Sequence, residues 1–391
     1  MAVKTADAVV IGAGVNGAAT AYHLVQKGMR DVLVIDSRGI SAGQTGRSST
    51  VIRQHYGHEV TAAMARDSLR FFEHFDEVTG GHAEFRCVGM VGVASERELG
   101  TLREVVEMEQ RIGINTKLVG VPELHELEPG MDLSDIVGGC YESDSGYADA
   151  VGTCAGFVKF ATEHGATAWL DTTVQRIVVD GNKVVGVETS GGAVATPRVV
   201  LAAGPWIVEL ARTVGVDLPI RTSRHPVLVF KYKSGKRPSH VIFDLPQIAY
   251  SRPEGKDLTL IGTLDMAHSQ EDANPDSYNE QPTFDEVSRW GELLMNRFPG
   301  YDDVEAMRGW CGIYEYTPDW HHIIDEVPGV RGCYVVCGTS GHGFKLGPAV
   351  GDITSDLVLG RKPPYDVRGF RLDRFAAGQM VVNKYEGTII G

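Results

Sequence analysis

The sequence predicts an α/β unit interleaved with an α+β unit, on three observations. A continuous apolar run, a glycine-rich turn and a helix-spaced segment follow one another within the first 28 residues. The same strand, glycine and helix order returns from residue 333. Between them, residues 216–325 change texture to short strand candidates separated by Pro- and Gly-containing loops. With 391 residues, 43% of them hydrophobic, the chain is long enough for more than one packed unit.

Residues 7–11 are continuous and β-branched, as expected of a strand buried on both faces. Residues 13–27 carry Ala, Tyr and Leu at helical spacing, with Gly28 as the C-terminal cap. Residues 32–35 are a second buried strand, completing a βαβ unit. A long helix is expected over 58–77, a strand over 86–94 and a charged amphipathic helix over 96–112. Residues 130–152 read as a polar, Gly-containing region, and 151–164 as helix. Runs 174–179 and 183–189 flank Asp180-Gly181-Asn182, a hairpin signal. An apolar strand at 199–203 ends on Gly204-Pro205, and candidates at 227–232, 240–243 and 258–262 suit an antiparallel sheet. Strand 333–337, loop 338–343 and helix 348–359 complete the pass. The expected division is a discontinuous nucleotide domain (1–85, 140–215 and 326–391) and a substrate domain (86–139 and 216–325) built on an antiparallel sheet with helices.

A formal charge of −14 without any basic run excludes nucleic acid as the natural partner. No apolar stretch reaches membrane-spanning length, and the first strand leaves no room for a signal peptide, so a cytoplasmic location is expected. The six cysteines include no C-x-x-C pair and are expected as free, mostly buried thiols. No metal site is expected, and His55 and His322 are read as structural. Oligomeric state is not legible.

Gly12, Gly14 and Gly17, with Val15 and Asn16 between them, form G-x-G-x-x-G after a strand and at the start of a helix. The first glycine permits the tight turn, the second lets backbone approach a pyrophosphate, and the third lets helix and strand pack closely. Asp36, followed by Ser37 and Arg38, closes the second strand 19 residues beyond Gly17, placed to accept from an adenosine ribose. These residues mark a Rossmann-like dinucleotide site. The triplet itself does not separate NAD from FAD. The hairpin at 174–189 and the strand 199–203 resemble the adenine-side elements of two-dinucleotide-binding flavoproteins, and no second glycine triplet follows, which favours a single FAD.

Tyr314-Glu315-Tyr316-Thr317-Pro318-Asp319, His322-Ile323-Ile324-Asp325 and Gly338-Thr339-Ser340-Gly341-His342-Gly343-Phe344-Lys345 resemble the D-amino-acid oxidase superfamily, within it the sarcosine and glycine oxidase branch. The string Gly46-Arg47-Ser48-Ser49-Thr50-Val51-Ile52-Arg53 resembles the segment after the second strand in sarcosine oxidases. The resemblance runs from about residue 5 to 360. It implies an FAD domain with the flavin ring lying against a substrate domain. Val174 then contacts adenine, Ala203, Gly204 and Trp206 line a flavin turn, and Gly338 to Lys345 form a loop at the flavin carbonyl side. Arg53 and Lys345 match the cations that hold the substrate carboxylate. A planar fork and a point charge suit that task. Tyr314 matches a wall or hydrogen-bond donor, and Tyr250 and Arg252 are lesser substrate candidates, Arg252 for a second carboxylate.

The implied chemistry is hydride transfer from a small amino acid or secondary amine to flavin N5, imine hydrolysis, and reduction of oxygen to hydrogen peroxide. The alternatives are a dehydrogenase serving a quinone or a partner protein, a flavin subunit of a hetero-oligomer, and a non-catalytic flavin-binding protein. Three departures bear on it, the first being that several residues which surround a methyl-sized amine substituent in that family are not matched here, which suits a larger substrate. Where the monomeric enzymes attach flavin to cysteine, this chain has Gly312, with Cys311 one residue earlier, so non-covalent FAD is expected. The stretch Leu258-Thr259-Leu260 lacks the lysine those enzymes place near oxygen.

Overall fold

The computed structural model describes residues 4–232, 237–269, 272–299, 304–385 and 388–389. Strands Thr167–Trp169, Val32–Ile35, Ala8–Ile11, Val199–Leu201 and Cys333–Cys337 lie side by side in that order, all parallel, and Ile323–Glu326 adds an antiparallel edge. Side chains alternate across this sheet. Ala8, Val10, Val32 and Val34 join the core under the helices, whereas Val9, Ile11, Leu33 and Ile35 pack against Val174, Ile177 and Val187 on the other face. Helices Val15–Gln26, Ala150–Glu163 and Gly343–Val358 share the first face. The first and last of these approach closely because both are lined with small residues. A Cβ on Gly351 would fall 2.6 Å from the Ala19 backbone, and one on Gly347 would fall 2.3 Å from Val15.

The hairpin forms as read: Val174–Asp180 pairs antiparallel with Lys183–Thr189 around Gly181, whose φ is +58°. With Gly192–Ala195 and Lys4–Thr5 it makes a separate four-stranded sheet.

The second large sheet has eight strands, ordered Glu305–Tyr316, Arg221–Lys231, Leu258–Thr263, Ala249–Glu254, Val241–Asp244, Met90–Ala94, Gly138–Glu142 and Thr116–Val119. It is antiparallel except at one ladder, where Val241–Asp244 runs parallel to Met90–Ala94. Residue 140 lies inside this sheet, not at the start of the following segment. That strand was hidden by its glycines, which packing requires: a Cβ on Gly139 would fall 2.1 Å from the Gly92 carbonyl oxygen.

Three further expectations change. The 86–94 strand is two, Arg86–Cys87 and Met90–Ala94, divided at Gly89 with φ +76°. The 58–77 helix divides at His74 into Glu59–Glu73 and Phe75–Thr79. The last helix starts at Gly343, not at Pro348, which sits inside it. A proline one turn into a helix deletes one backbone bond and is tolerated better there than further in. The shift moves Lys345 from loop into the first helical turn.

Candidate functional site

Four parallel strands end on one edge of the six-stranded sheet, and their following residues line a cavity of about 480 Å³. This is where ligands sit in open parallel sheets. Gly12, Gly14, Val15 and Asn16 follow the first strand, Asp36, Ser37 and Arg38 the second, Ala202 to Trp206 the third, and Thr339, Gly341, Gly343, Phe344 and Lys345 the fourth. Ser48, Ser49 and Val174 complete the wall.

The glycine turn is a fitted cradle. Gly12 has φ +111°, and a Cβ there would fall 2.3 Å from the Ala202 carbonyl oxygen. A Cβ on Gly17 would fall 1.9 Å from the Gly12 carbonyl oxygen, so Gly17 packs beneath the turn and does not itself line the cavity. Val15 N–H donates to Thr45 Oγ1 at 3.1 Å. Asp36 Oδ2 accepts from Ala13 N–H at 2.8 Å and Oδ1 from Arg38 N–H at 2.9 Å, so the carboxylate fixes the turn it faces. Arg38 stacks over the Trp206 ring at 4.5 Å. The N-termini of helices Val15–Gln26 and Gly343–Val358 both meet this cavity, bringing positive dipole ends suited to an anion.

A smaller cavity of about 40 Å³ adjoins the first, sharing Ser49, Val51, Tyr314, Gly341 and Lys345. Arg53, Tyr250, His342, Val241, Phe243, Leu264 and Ile389 form the rest of its lining. Arg53 and Lys345 are 292 positions apart in the chain, yet both are buried here. Arg53 stacks over the Tyr56 ring at 4.2 Å and Phe243 at 5.0 Å, and donates to the His55 carbonyl. Burial, then the Arg53 charge, holds the Lys345 ammonium well below the usual lysine range, and no carboxylate among the described residues offsets it. Its place in the first helical turn adds the dipole's repulsion.

Tyr314 stacks on His225 with ring centroids 3.8 Å apart, and burial raises its hydroxyl pKa. Tyr250 is likewise buried and raised. His342 is kept neutral by burial and then by Lys345 and Arg53. Its Nδ1 lies 3.3 Å from the Tyr56 hydroxyl, and its Nε2 has no hydrogen-bond partner among the described residues.

Behind Arg53 lies a fully buried polar array. Glu109 lies 3.0 Å from His55 Nδ1 and accepts from Tyr56 N–H, and Glu142 accepts from Gln54 N–H at 3.0 Å. Burial first, then Glu109, pushes Glu142 up to about 7. His55, Glu109 and Glu142 have the chemistry of a metal ligand set. In this structure His55 meets Glu109, and both carboxylates accept from backbone N–H groups.

Not every expected residue reaches a cavity. Arg252 does not: its guanidinium is taken by Glu254 at 2.6 Å and the Ser49 carbonyl at 2.8 Å, and it stacks over Tyr147 at 4.2 Å. Gly46, Thr50 and Gly338 shape the wall from behind, Thr50 and Gly338 with φ of +56° and +65°. Cys311 is buried on the opposite side of its strand from Gly312, which does line the larger cavity. Gln44, Thr45, His225 and Ile389 were not singled out from sequence. The first two sit at a short turn, His225 follows the polar run Arg221-Thr222-Ser223-Arg224 in its strand and so does not stand out, and Ile389 lies outside every motif.

The family model described as FAD dependent oxidoreductase matches residues 7–357. The chain is similar to the mitochondrial sarcosine dehydrogenase of Homo sapiens, 26% identical over 95% of this chain and 42% of that one, so it spans under half the length of that relative. Similarity to the sarcosine oxidase subunit beta of Arthrobacter sp covers 97% of this chain and 93% of the other at 25% identity. Among solved structures, L-proline dehydrogenase from P. horikoshii superposes with a TM-score of 0.88 at 25% identity, covering 97% of this chain and all of that one. Among the described residues no helix is long and apolar enough to cross a membrane.

Proposed function

The chain belongs to the DAO family of FAD-dependent oxidoreductases, and from that premise we propose that it oxidises the C–N bond of a small amino acid or secondary amine carrying a carboxylate, of the N-substituted glycine type. One observation carries the reading. A buried lysine and a buried arginine meet in a small cavity, and among the described residues the lysine has no anionic partner. Such a pair is costly unless an anion completes it, and a substrate carboxylate does so.

FAD is the cofactor, and the glycine turn, Asp36, Val174, Ala203 to Trp206 and the Gly343 helix terminus are the residues that fit it; when bound it supplies a two-electron acceptor. The chain's own residues supply position. Arg53 and Lys345 hold the carboxylate, which fixes the adjacent carbon and nitrogen toward the larger cavity. Tyr314, braced by His225, closes the floor and excludes water. Neutral His342 presents Nε2 toward the substrate amine and favours its unprotonated form. The oxidised substrate is an imine, which water hydrolyses to a carbonyl compound and an amine. Non-covalent attachment of FAD follows from Gly312 at the cavity wall and Cys311 turned away from it.

We further propose oxygen as the final acceptor, giving hydrogen peroxide. A dehydrogenase is the second reading, favoured by the L-proline dehydrogenase superposition. Anaerobic mixing of the flavin-loaded protein with N-methylglycine, glycine, proline and N-alkyl glycines tests the main claim, with bleaching of the flavin absorbance by at least one expected. Failure of every carboxylate amine, with bleaching by an amine lacking a carboxylate, overturns it. Peroxide yield per turnover in air separates the two acceptors.

A further inference from the structure

The family match ends at residue 357, yet the chain beyond it returns to the inner cavity. We propose that this returning segment is a wall of the substrate cavity, with Ile389 setting the size of the group the substrate carries beside its carboxylate and Tyr385 latching the wall in place. The inference rests on the carboxylate-clamp reading above.

Ile389 is buried and lines the cavity with Phe243, Leu264 and Lys345. It adds nothing to the binding of a carboxylate, so its contact falls on the remainder of the ligand. A β-branched side chain has few rotamers and makes a firm boundary. With that boundary in place the cavity is about 40 Å³, room for only a few heavy atoms, since a single water requires roughly 10–15 Å³ on the same measure.

The described residues of the wall are tied down at several points. Ile389 N–H donates to the Leu264 carbonyl at 2.9 Å, and Thr388 bridges Asp265. Asn383 Nδ2 donates to the Thr388 carbonyl at 2.7 Å, and the Thr388 hydroxyl to the Tyr385 carbonyl at 2.9 Å. The buried Tyr385 hydroxyl lies 2.6 Å from His55 Nε2. The His55 carbonyl accepts from the Arg53 guanidinium, so wall and carboxylate clamp meet on one residue. Further back, Asp319 of the Thr-Pro-Asp motif accepts twice from Arg374 at 2.8 Å and from Val381 N–H at 3.1 Å. Ordering these residues costs about 1–2 kcal/mol of backbone entropy each, and the bonds named here offset it.

The experiment measures dissociation constants of (methylthio)acetate and (butylthio)acetate from the flavin-loaded protein, by perturbation of the flavin absorbance. Wild type is compared with Ile389→Ala, Ile389→Leu and Tyr385→Phe. The ratio of butyl to methyl constants is expected to fall at least about tenfold in Ile389→Ala, the scale on which a pocket discriminates one methylene. It should fall less in Tyr385→Phe and stay near wild type in Ile389→Leu. A ratio unchanged in Ile389→Ala overturns the proposal, as does an equal change for both probes or the failure of either to bind any variant. Because the readout is binding and not turnover, a fallen ratio with no amine bleaching the flavin keeps the wall and rejects the amine reading. Bleaching by amines with a fixed ratio does the reverse.

Discussion

Replacing Lys345 by Met removes the titratable amine from the inner cavity and keeps an unbranched chain of similar length. In the free protein that ammonium is buried, faces Arg53, and has no carboxylate among the described residues to offset it. A carboxylate ligand supplies the missing anion. A hydrogen bond to a charged group is worth about 1.5–3 kcal/mol, so the variant should bind (methylthio)acetate roughly 10- to 150-fold more weakly. The sign of the pH effect follows from the depressed lysine pKa. Binding an anion raises that pKa, so between the free and liganded values complex formation takes up a proton, and affinity falls as pH rises through the window. The same depression makes the unfolded chain bind more protons than the native one below the ordinary lysine pKa. Stability of the unliganded wild type therefore rises with pH across that interval, a slope the Met variant lacks. Calorimetry in two buffers of different ionisation enthalpy reads the proton directly. His342 is also neutral and buried in the cavity, and the wild-type versus Met comparison separates it from Lys345. Uptake absent in wild type, or persisting undiminished in Lys345→Met, refutes the reasoning.

Three further outcomes follow from the geometry. Gly17→Ala places a methyl group 1.9 Å from the Gly12 carbonyl oxygen; an overpacking cost of about 1–3 kcal/mol should appear in thermal melts, with FAD retention on gel filtration reduced alongside. Arg374→Met strands the buried Asp319 carboxylate, and urea denaturation should show a loss of about 3–5 kcal/mol. Burial works to raise the Asp319 pKa, but Arg374 outweighs it and holds it low. The stability this pair gives is therefore present above the ordinary aspartate pKa and lost as pH falls through the native value, and the variant should lose that acid-side slope. Acid precipitation should leave the protein colourless and the supernatant yellow in both wild type and Cys311→Ser; colour retained in the pellet would mean a covalent flavin.

The four inner strands of the six-stranded sheet were legible because they are buried on both faces and so read as unbroken apolar runs, 8–11 and 333–337 above all, whereas the edge strands 167–169 and 323–326 are partly exposed and were not read. The cradle was legible because its glycines answer to steric demands that any side chain would violate. The eight-stranded sheet was read only in part. Its strands at 138–142 and 305–316 are interrupted by glycines set by contacts with Gly92, Pro282 and Leu228, partners distant in sequence. The parallel ladder between 90–94 and 241–244 joins residues 151 positions apart, which no local pattern encodes.

The site divides along the same line. Arg53 and Lys345 were identified by motif and do share a cavity, whereas Arg252 two positions from Tyr250 shares a strand with it but not the cavity. Alternation places both side chains on one face, but Glu254, two further on, captures the guanidinium. A cation is available to a ligand only if the fold leaves it without a carboxylate, and that depends on neighbours brought from elsewhere. Lys345 meets the condition because the helix begins at Gly343 and turns it inward beside Arg53. Pro348, read as the helix start, left Lys345 in the preceding loop; the structure sets it in the first helical turn, where among the described residues no carboxylate offsets it. The two cations thus differ in kind. Arg53 is stacked between aromatic rings and tied to backbone whether or not a ligand is present, and Lys345 is the group whose charge state the ligand controls.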